Sequence, residues 1–184
     1  MRKRLVTAPN LITFSRVVLL PLLAYMIVKG IGVWAGHFLI VVGLTDILDG
    51  WLARRTKQES PVGALLDPVA DKILLCVAVI FLVARNDPGL SPTLATLILV
   101  REFFVSGLRA VLASFGVVMG AGRVGKIKTF FQFCGLVGLC WAIEWKHPFF
   151  SVGALVFLWS SVFLSYASML KYSYIAYQEL KSKM

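Results

Sequence analysis

Four of the nine acidic residues in this chain, Asp46, Asp49, Asp67 and Asp71, fall within a largely apolar stretch of 26 positions. Asp46, Asp49, Gly50, Ala53 and Arg54 stand at i, i+3, i+4, i+7 and i+8, which is one stripe of an α-helix. Gly63, Asp67 and Asp71 stand at i, i+4 and i+8 and form a second stripe. Eight residues separate Arg54 from Gly63, with Pro61 among them, so the chain turns back. An antiparallel hairpin then sets Arg54 near Gly63, Gly50 near Asp67 and Asp46 near Asp71. The carboxylates converge roughly two turns, ~11 Å, inward of the helix ends. Four ionised carboxylates that close raise one another's pKa, and hard cations relieve the repulsion. All-oxygen ligation suits Mg²⁺ or Mn²⁺, and Mg²⁺ commonly shares its coordination sphere with substrate phosphates. Two such ions beside a diphosphate would polarise phosphoryl oxygens and stabilise a leaving group. Gly50, Ala53 and Gly63 leave room for a nucleotide or diphosphate against the backbone, although small residues also serve helix packing.

The elements that must position these groups are set by composition. Of the 184 residues, 59% are hydrophobic and 15% charged, which departs from a soluble domain. Six apolar segments, 11–29, 33–53, 62–84, 91–114, 127–143 and 149–170, run close to the ~20 residues that cross a bilayer as helix. Helices are the form that satisfies backbone polar groups in hydrocarbon. The reading is therefore an all-α integral-membrane protein, residues 1–184 making one membrane domain, with six transmembrane helices and residues 1–10 along the interface. Twelve cations (Arg2, Lys3, Arg4, Arg54, Arg55, Lys57, Arg123, Lys126, Lys128, Lys171, Lys181 and Lys183) flank one side of these segments, against Lys29, Arg85 and Lys146 on the other. The positive-inside rule places both termini in the cytoplasm. The formal charge of +10 thus reports topology and anionic headgroups, and implies no nucleic acid. A cleaved signal peptide is disfavoured, because Arg16 interrupts the first apolar run and no small-x-small site follows. Cys76, Cys134 and Cys140 have no C-x-x-C spacing and read as buried hydrophobes. His37 and His147 are not clustered with other ligand types, and Trp34, Trp141, Trp145 and Trp159 read as interfacial anchors.

The string Asp46-x2-Asp49-Gly50-x2-Ala53-Arg54-x8-Gly63-x3-Asp67-x3-Asp71 resembles the full signature of the CDP-alcohol phosphotransferases, with every element and spacing present. Pro9-Asn10-x2-Thr13-x2-Arg16, Arg101-Glu102 with Ser106 and Arg109, and Gly125-Lys126-x-Lys128-Thr129 are similar to bacterial phosphatidylglycerophosphate synthases, so the likeness covers most of the chain. The resemblance implies a six-helix homodimer in the bacterial inner membrane, with its site open to the cytoplasmic leaflet. It implies two divalent cations, Mg²⁺ or Mn²⁺, on Asp46, Asp49, Asp67 and Asp71, and CDP against Gly50, Ala53 and Arg54. Asp71 would be the general base that deprotonates the acceptor alcohol. The expected substrates are CDP-diacylglycerol and glycerol 3-phosphate, giving phosphatidylglycerol phosphate and CMP.

The remaining polar residues of the spans are weighed on position. Asn10 and Thr13 are candidates to contact CDP, as is Gly63 from the facing helix. Arg109, Lys126 and Lys128 would clamp the acceptor's phosphate, Arg with bidentate geometry; Lys126 and Lys128 could equally be snorkelling topology residues. Arg101 and Glu102 suit an internal ion pair or a ligand contact, and Arg16 suits Glu102 or the nucleotide. Two alternatives stand beside this reading. One keeps the chemistry with another acceptor, such as inositol phosphate. The other is a divalent-cation transporter, against which stand the absence of an inverted repeat and acids lying near one membrane face.

Overall fold

The computed structural model describes residues 8–56, 61–86, 89–117 and 122–183, with side chains described for 14–46, 68–86, 89–117, 122, 124–179 and 181. These residues form six α-helices and no strand: α1 Ala8–Lys29, α2 Gly32–Thr56, α3 Pro61–Ala84, α4 Pro92–Ser114, α5 Arg123–Trp145 and α6 Pro148–Lys183. Proline opens α3, α4 and α6, where its fixed φ and missing N–H cost nothing. Ser91 caps α4 by accepting the Leu94 N–H at 3.1 Å. Glycine at positive φ closes α1 and α4. At Gly30 (φ 79°) the Ile31 N–H reaches back to the Met26 carbonyl, and at Gly116 (φ 77°) the Val117 N–H reaches the Leu112 carbonyl. Both are Schellman closures, so each chain reversal is written into its own glycine.

Each apolar segment read from the sequence lies on one of these helices. The largest difference is at the end, where α6 continues from Leu170 to Lys183. Two stretches are long and apolar enough to cross a membrane among the described residues: Val124–Trp145 of α5 and Pro148–Glu179 of α6, while Gly32–Asp46 is a shorter apolar stretch. Charge within the other helices explains part of that difference, since α4 carries Arg101, Glu102 and Arg109.

α5 is the central pillar, packed between α2 and α6, and α1 packs against both α2 and α3. Close approach along α5 depends on glycine. A Cβ built on Gly32 would stand 2.0 Å from the Cys140 carbonyl oxygen, and one on Gly36 would stand 2.4 Å from Trp141 Nε1. On the opposite side of α5, a Cβ on Gly135 would meet Leu158 Cγ at 2.6 Å. With lipid as apolar as the side chains, such backbone proximity is what drives helix association. Leu23, Ile27, Leu39, Leu82, Leu94, Leu139 and Leu158 fill the core between the helices.

Contacts at the helix ends give the direction of each helix. Arg85, after α3, donates to the Ile27 and Val28 carbonyls at the end of α1, at 3.0 and 2.9 Å. Glu144 near the end of α5 accepts the Val33 N–H at the start of α2, at 2.9 Å. One end of the bundle thus gathers the C-termini of α1, α3 and α5. The other gathers the C-terminal halves of α2 and α4 with the N-termini of α1, α3 and α5, and it is there that the signature residues lie.

Candidate functional site

The aspartate frame is carried by α2 and α3. Asp49, Gly50, Ala53 and Arg54 belong to the α2 backbone, Gly63 and Asp67 to α3, and Asn10 and Thr13 to α1; their side chains lie outside the described residues. Asp46 and Asp71 are described. Asp46 is half-exposed and its Oδ1 accepts a hydrogen bond from Arg16 Nη1 at 2.6 Å. Asp71 is exposed, near the middle of α3. Among the described residues, no group of three or more His, Cys, Asp and Glu stands together.

The Arg16 contact brings α1 into the site. Its guanidinium is buried, 6% exposed, in a helix otherwise dominated by Leu, Val and Ile. A buried arginine is costly unless paired, and the Asp46 carboxylate supplies the pair. Arg16 therefore turns to α2, away from the Glu102 partnership that its position in the first span also allowed.

A second polar assembly joins α4, α5 and α6. Glu102 Oε2 accepts from Lys128 Nζ at 2.5 Å and from Arg101 Nη1 at 3.1 Å. Arg101 continues into α6: its Nε donates to the Ser165 carbonyl at 3.3 Å, and its Nη2 to Ser168 Oγ at 3.1 Å. Of the two readings open for Arg101 and Glu102, the structure shows the ion pair, internal to the protein and extended by Lys128. Lys128 is only 3% exposed, whereas Lys126 on the same first turns of α5 is exposed. The three cations grouped by sequence therefore occupy different settings. Lys128 is held inward by a carboxylate, Lys126 is open, and Arg109 lies on an aromatic ring.

That ring is Tyr172. The Arg109 guanidinium carbon lies 5.2 Å from its centroid, within cation–π range. Arg109 Nη2 also donates to Tyr172 Oη at 3.4 Å, and the Gly122 N–H at the start of α5 donates to the same oxygen at 3.3 Å. Arg109 Nε is buried without an acceptor among the described residues. The sequence carries no motif around Tyr172, which is why motif reading passed over it. A weaker signal is present: Ser161, Ser165, Ser168 and Tyr172 recur at i, i+4, i+7 and i+11 and are all buried. A polar stripe of that period inside an apolar helix marks a face turned to protein.

Counted together, Arg101, Lys128 and Arg109 are three cations, and the one carboxylate paired with any of them among the described residues is Glu102. Such a surplus of positive charge in a partly buried junction favours an anion.

Comparison with known proteins agrees with the motif. A profile of the CDP-alcohol phosphatidyltransferase family matches residues 6–167. A Wigglesworthia glossinidia brevipalpis protein named CDP-diacylglycerol–glycerol-3-phosphate 3-phosphatidyltransferase is 30% identical over 177 residues, covering 94% of this chain and 96% of its own length. Proteins of the same name from Yersinia pestis and Rickettsia felis are 36% identical over 181 residues and 37% over 131; the first alignment covers 94% of this chain and 96% of the relative, the second 70% and 71%. The residue pattern, the six helices and the extent of these matches agree: the chain belongs to the CDP-alcohol phosphatidyltransferase family.

Proposed function

We propose that this chain is an enzyme that transfers the phosphatidyl group of CDP-diacylglycerol to glycerol 3-phosphate, releasing CMP and forming phosphatidylglycerol phosphate. The observation that carries the reading is the complete eight-position aspartate signature, set on α2 and α3 in a chain matched along 94% of its length by relatives of that activity. The cationic surplus at the α4–α5–α6 junction supports an acceptor that itself bears a phosphate.

The donor set suits a hard divalent cation. The two described aspartates are open to solvent in part, Asp46 with 45% of its side chain exposed and Asp71 exposed, and oxygen-only ligation selects Mg²⁺ or Mn²⁺. Asp46, Asp49, Asp67 and Asp71 would hold two such ions, which when bound would supply Lewis-acid stabilisation of the diphosphate. Arg16 keeps the Asp46 carboxylate oriented. Gly50, Ala53, Arg54 and Gly63, with Asn10 and Thr13, form the CDP side of the site. Asp71 takes the proton from the acceptor hydroxyl. The resulting alkoxide oxygen bonds to the lipid-side phosphorus, the bond from that phosphorus to the bridging oxygen breaks, and CMP leaves with the electron pair. Arg109 and Lys126 receive the acceptor phosphate, while Lys128, grouped with them by sequence, stays on Glu102 and holds the frame beside them. The setting is a homodimer in the bacterial inner membrane, its six helices spanning the bilayer and its site facing the cytoplasm, as the charge bias supports.

The test is purified protein in lipid nanodiscs with CDP-diacylglycerol, Mg²⁺ or Mn²⁺, and separate acceptors: glycerol 3-phosphate, inositol phosphate and serine. CMP release with glycerol 3-phosphate is expected. Release only with inositol phosphate would overturn the acceptor, and Mn²⁺ uptake by proteoliposomes without CMP release would overturn the enzyme.

A further inference from the structure

We infer that Tyr172 of α6 is an acceptor-specificity residue, its phenol holding Arg109 in place and donating its own proton to the acceptor phosphate. The inference rests on the reading of Arg109 as a phosphate-binding residue. It starts from hydrogen-bond valence. A phenolic oxygen has two acceptor lone pairs and one proton to give. At Tyr172 both lone pairs are used, one by the Gly122 N–H at 3.3 Å and the other by Arg109 Nη2 at 3.4 Å. The O–H is therefore turned away from both donors, and no acceptor for it stands among the described residues. Tyr172 is 9% exposed over the whole residue, and its hydroxyl keeps a proton to give.

The surroundings say what would. Arg109 lies over the ring, its Nε buried without an acceptor among the described residues. Gly122 stands at the N-cap of α5 with no side-chain cap, so the first amides of a 23-residue helix point the same way, with the positive end of its dipole. Lys126 follows one turn on and is exposed. Every group here is a donor or a cation. The ligand that meets a surplus of donors is an acceptor-rich anion, and a phosphate monoester supplies three oxygens.

The geometry also divides the labour. The ring face holds the guanidinium by cation–π contact, and the hydroxyl fixes its rotation and ties α4 and α6 to the start of α5. Removing the hydroxyl while keeping the ring separates these contributions.

Tyr172→Phe in the full-length enzyme is expected to raise the KM for glycerol 3-phosphate by about tenfold, the scale of one hydrogen bond to a charged group. kcat and the KM for CDP-diacylglycerol should stay within about twofold, since the variant touches neither the aspartates nor the donor lipid. Inorganic phosphate, as a competitor of glycerol 3-phosphate, should weaken by the same factor. If Tyr172→Phe does not fold, Tyr172→Gln retains an N–H donor, and its KM for glycerol 3-phosphate should lie below that of Tyr172→Ala. An unchanged KM for glycerol 3-phosphate in Tyr172→Phe, or parallel changes for both substrates, would overturn the inference. Arg109→Ala keeps the two failures apart: if it raises that KM while Tyr172→Phe does not, only the Tyr172 role falls. If neither does, the phosphate reading of Arg109 falls too.

Discussion

The ammonium of Lys128 meets the carboxylate of Glu102 at 2.5 Å and ties α5 to α4 at a point where Lys128 is almost wholly buried. The same carboxylate oxygen takes Arg101, which in turn ties α4 to Ser165 and Ser168 of α6. Three helices are thus joined through one acid. Glu102 lies seven residues before Arg109 on α4, about 10 Å along the axis. The ion cluster therefore sets the frame from which Arg109 reaches Tyr172.

Glu102→Gln should be strongly destabilising, because it leaves a buried ammonium without its counter-charge. Breaking a buried pair in this way costs about 3 kcal/mol. Thermal unfolding in detergent should show a clearly lowered midpoint, and adding Lys128→Met to Glu102→Gln should recover a large part of it. A double variant less stable than Glu102→Gln alone would show that Lys128 is not held through Glu102.

The helix contacts make a sharper structural prediction. Gly32→Ala places a methyl 2.0 Å from the Cys140 carbonyl oxygen, a backbone atom that cannot step aside without moving α5. Overpacking of that kind costs about 1–3 kcal/mol. Gly107→Ala on α4 meets nothing within 4 Å and should be neutral or stabilising by up to about 1 kcal/mol from helix propensity. Opposite signs for the two variants in the same unfolding assay are the expected outcome, and equal effects would contradict the α2–α5 register.

How much of this was legible in the sequence depends on what each feature needs. The helices follow from apolar run length, and several of their ends from Gly30, Pro61 and Pro148, because those residues act locally; the Gly116 closure of α4 was seen only in the structure. The placement of the aspartates on two successive helices, α2 and α3, follows from spacing and run length. The partners of Arg16, Lys128 and Arg109 do not, since each depends on which helix lies alongside. Arg16 suited Glu102 or the nucleotide by sequence, and its partner Asp46 emerges only because α1 packs against α2. α6 beyond Leu170 was missed for a different reason: Lys171, Tyr174, Gln178 and Lys181 end the apolar run without ending the helix. Tyr172, whose partners sit on two other helices, went with it.

Arg16 tests the link between packing and the aspartates. Arg16→Met should leave Asp46 without the contact that orients it, while Arg16→Lys keeps a cation but loses the planar fork. The Mg²⁺ concentration giving half-maximal CMP release should rise in both, more in Arg16→Met than in Arg16→Lys, by about tenfold if an oriented second partner behaves here as it does around other metal ligands. An unchanged Mg²⁺ requirement with a lowered unfolding midpoint would make Arg16 a packing residue only.

Lys126 and Lys128 share a helix and were grouped together by sequence, yet their burial separates them, and activity and stability should separate in the same way. Lys126 is exposed and has no role in the ion cluster, so Lys126→Ala should leave the unfolding midpoint within about 1 °C, as surface substitutions do. Its effect should fall on the KM for glycerol 3-phosphate, raised severalfold, with the KM for CDP-diacylglycerol unchanged. Lys128→Ala removes the partner of Glu102 and opens space beside a carboxylate that Arg101 alone must then satisfy. Its midpoint should fall by several degrees, and kcat and both KM values should change together as the frame holding Arg109 loosens. A Lys128→Ala enzyme of ordinary stability, with only its glycerol 3-phosphate KM raised, would mean that this ammonium leaves Glu102 for the substrate during turnover.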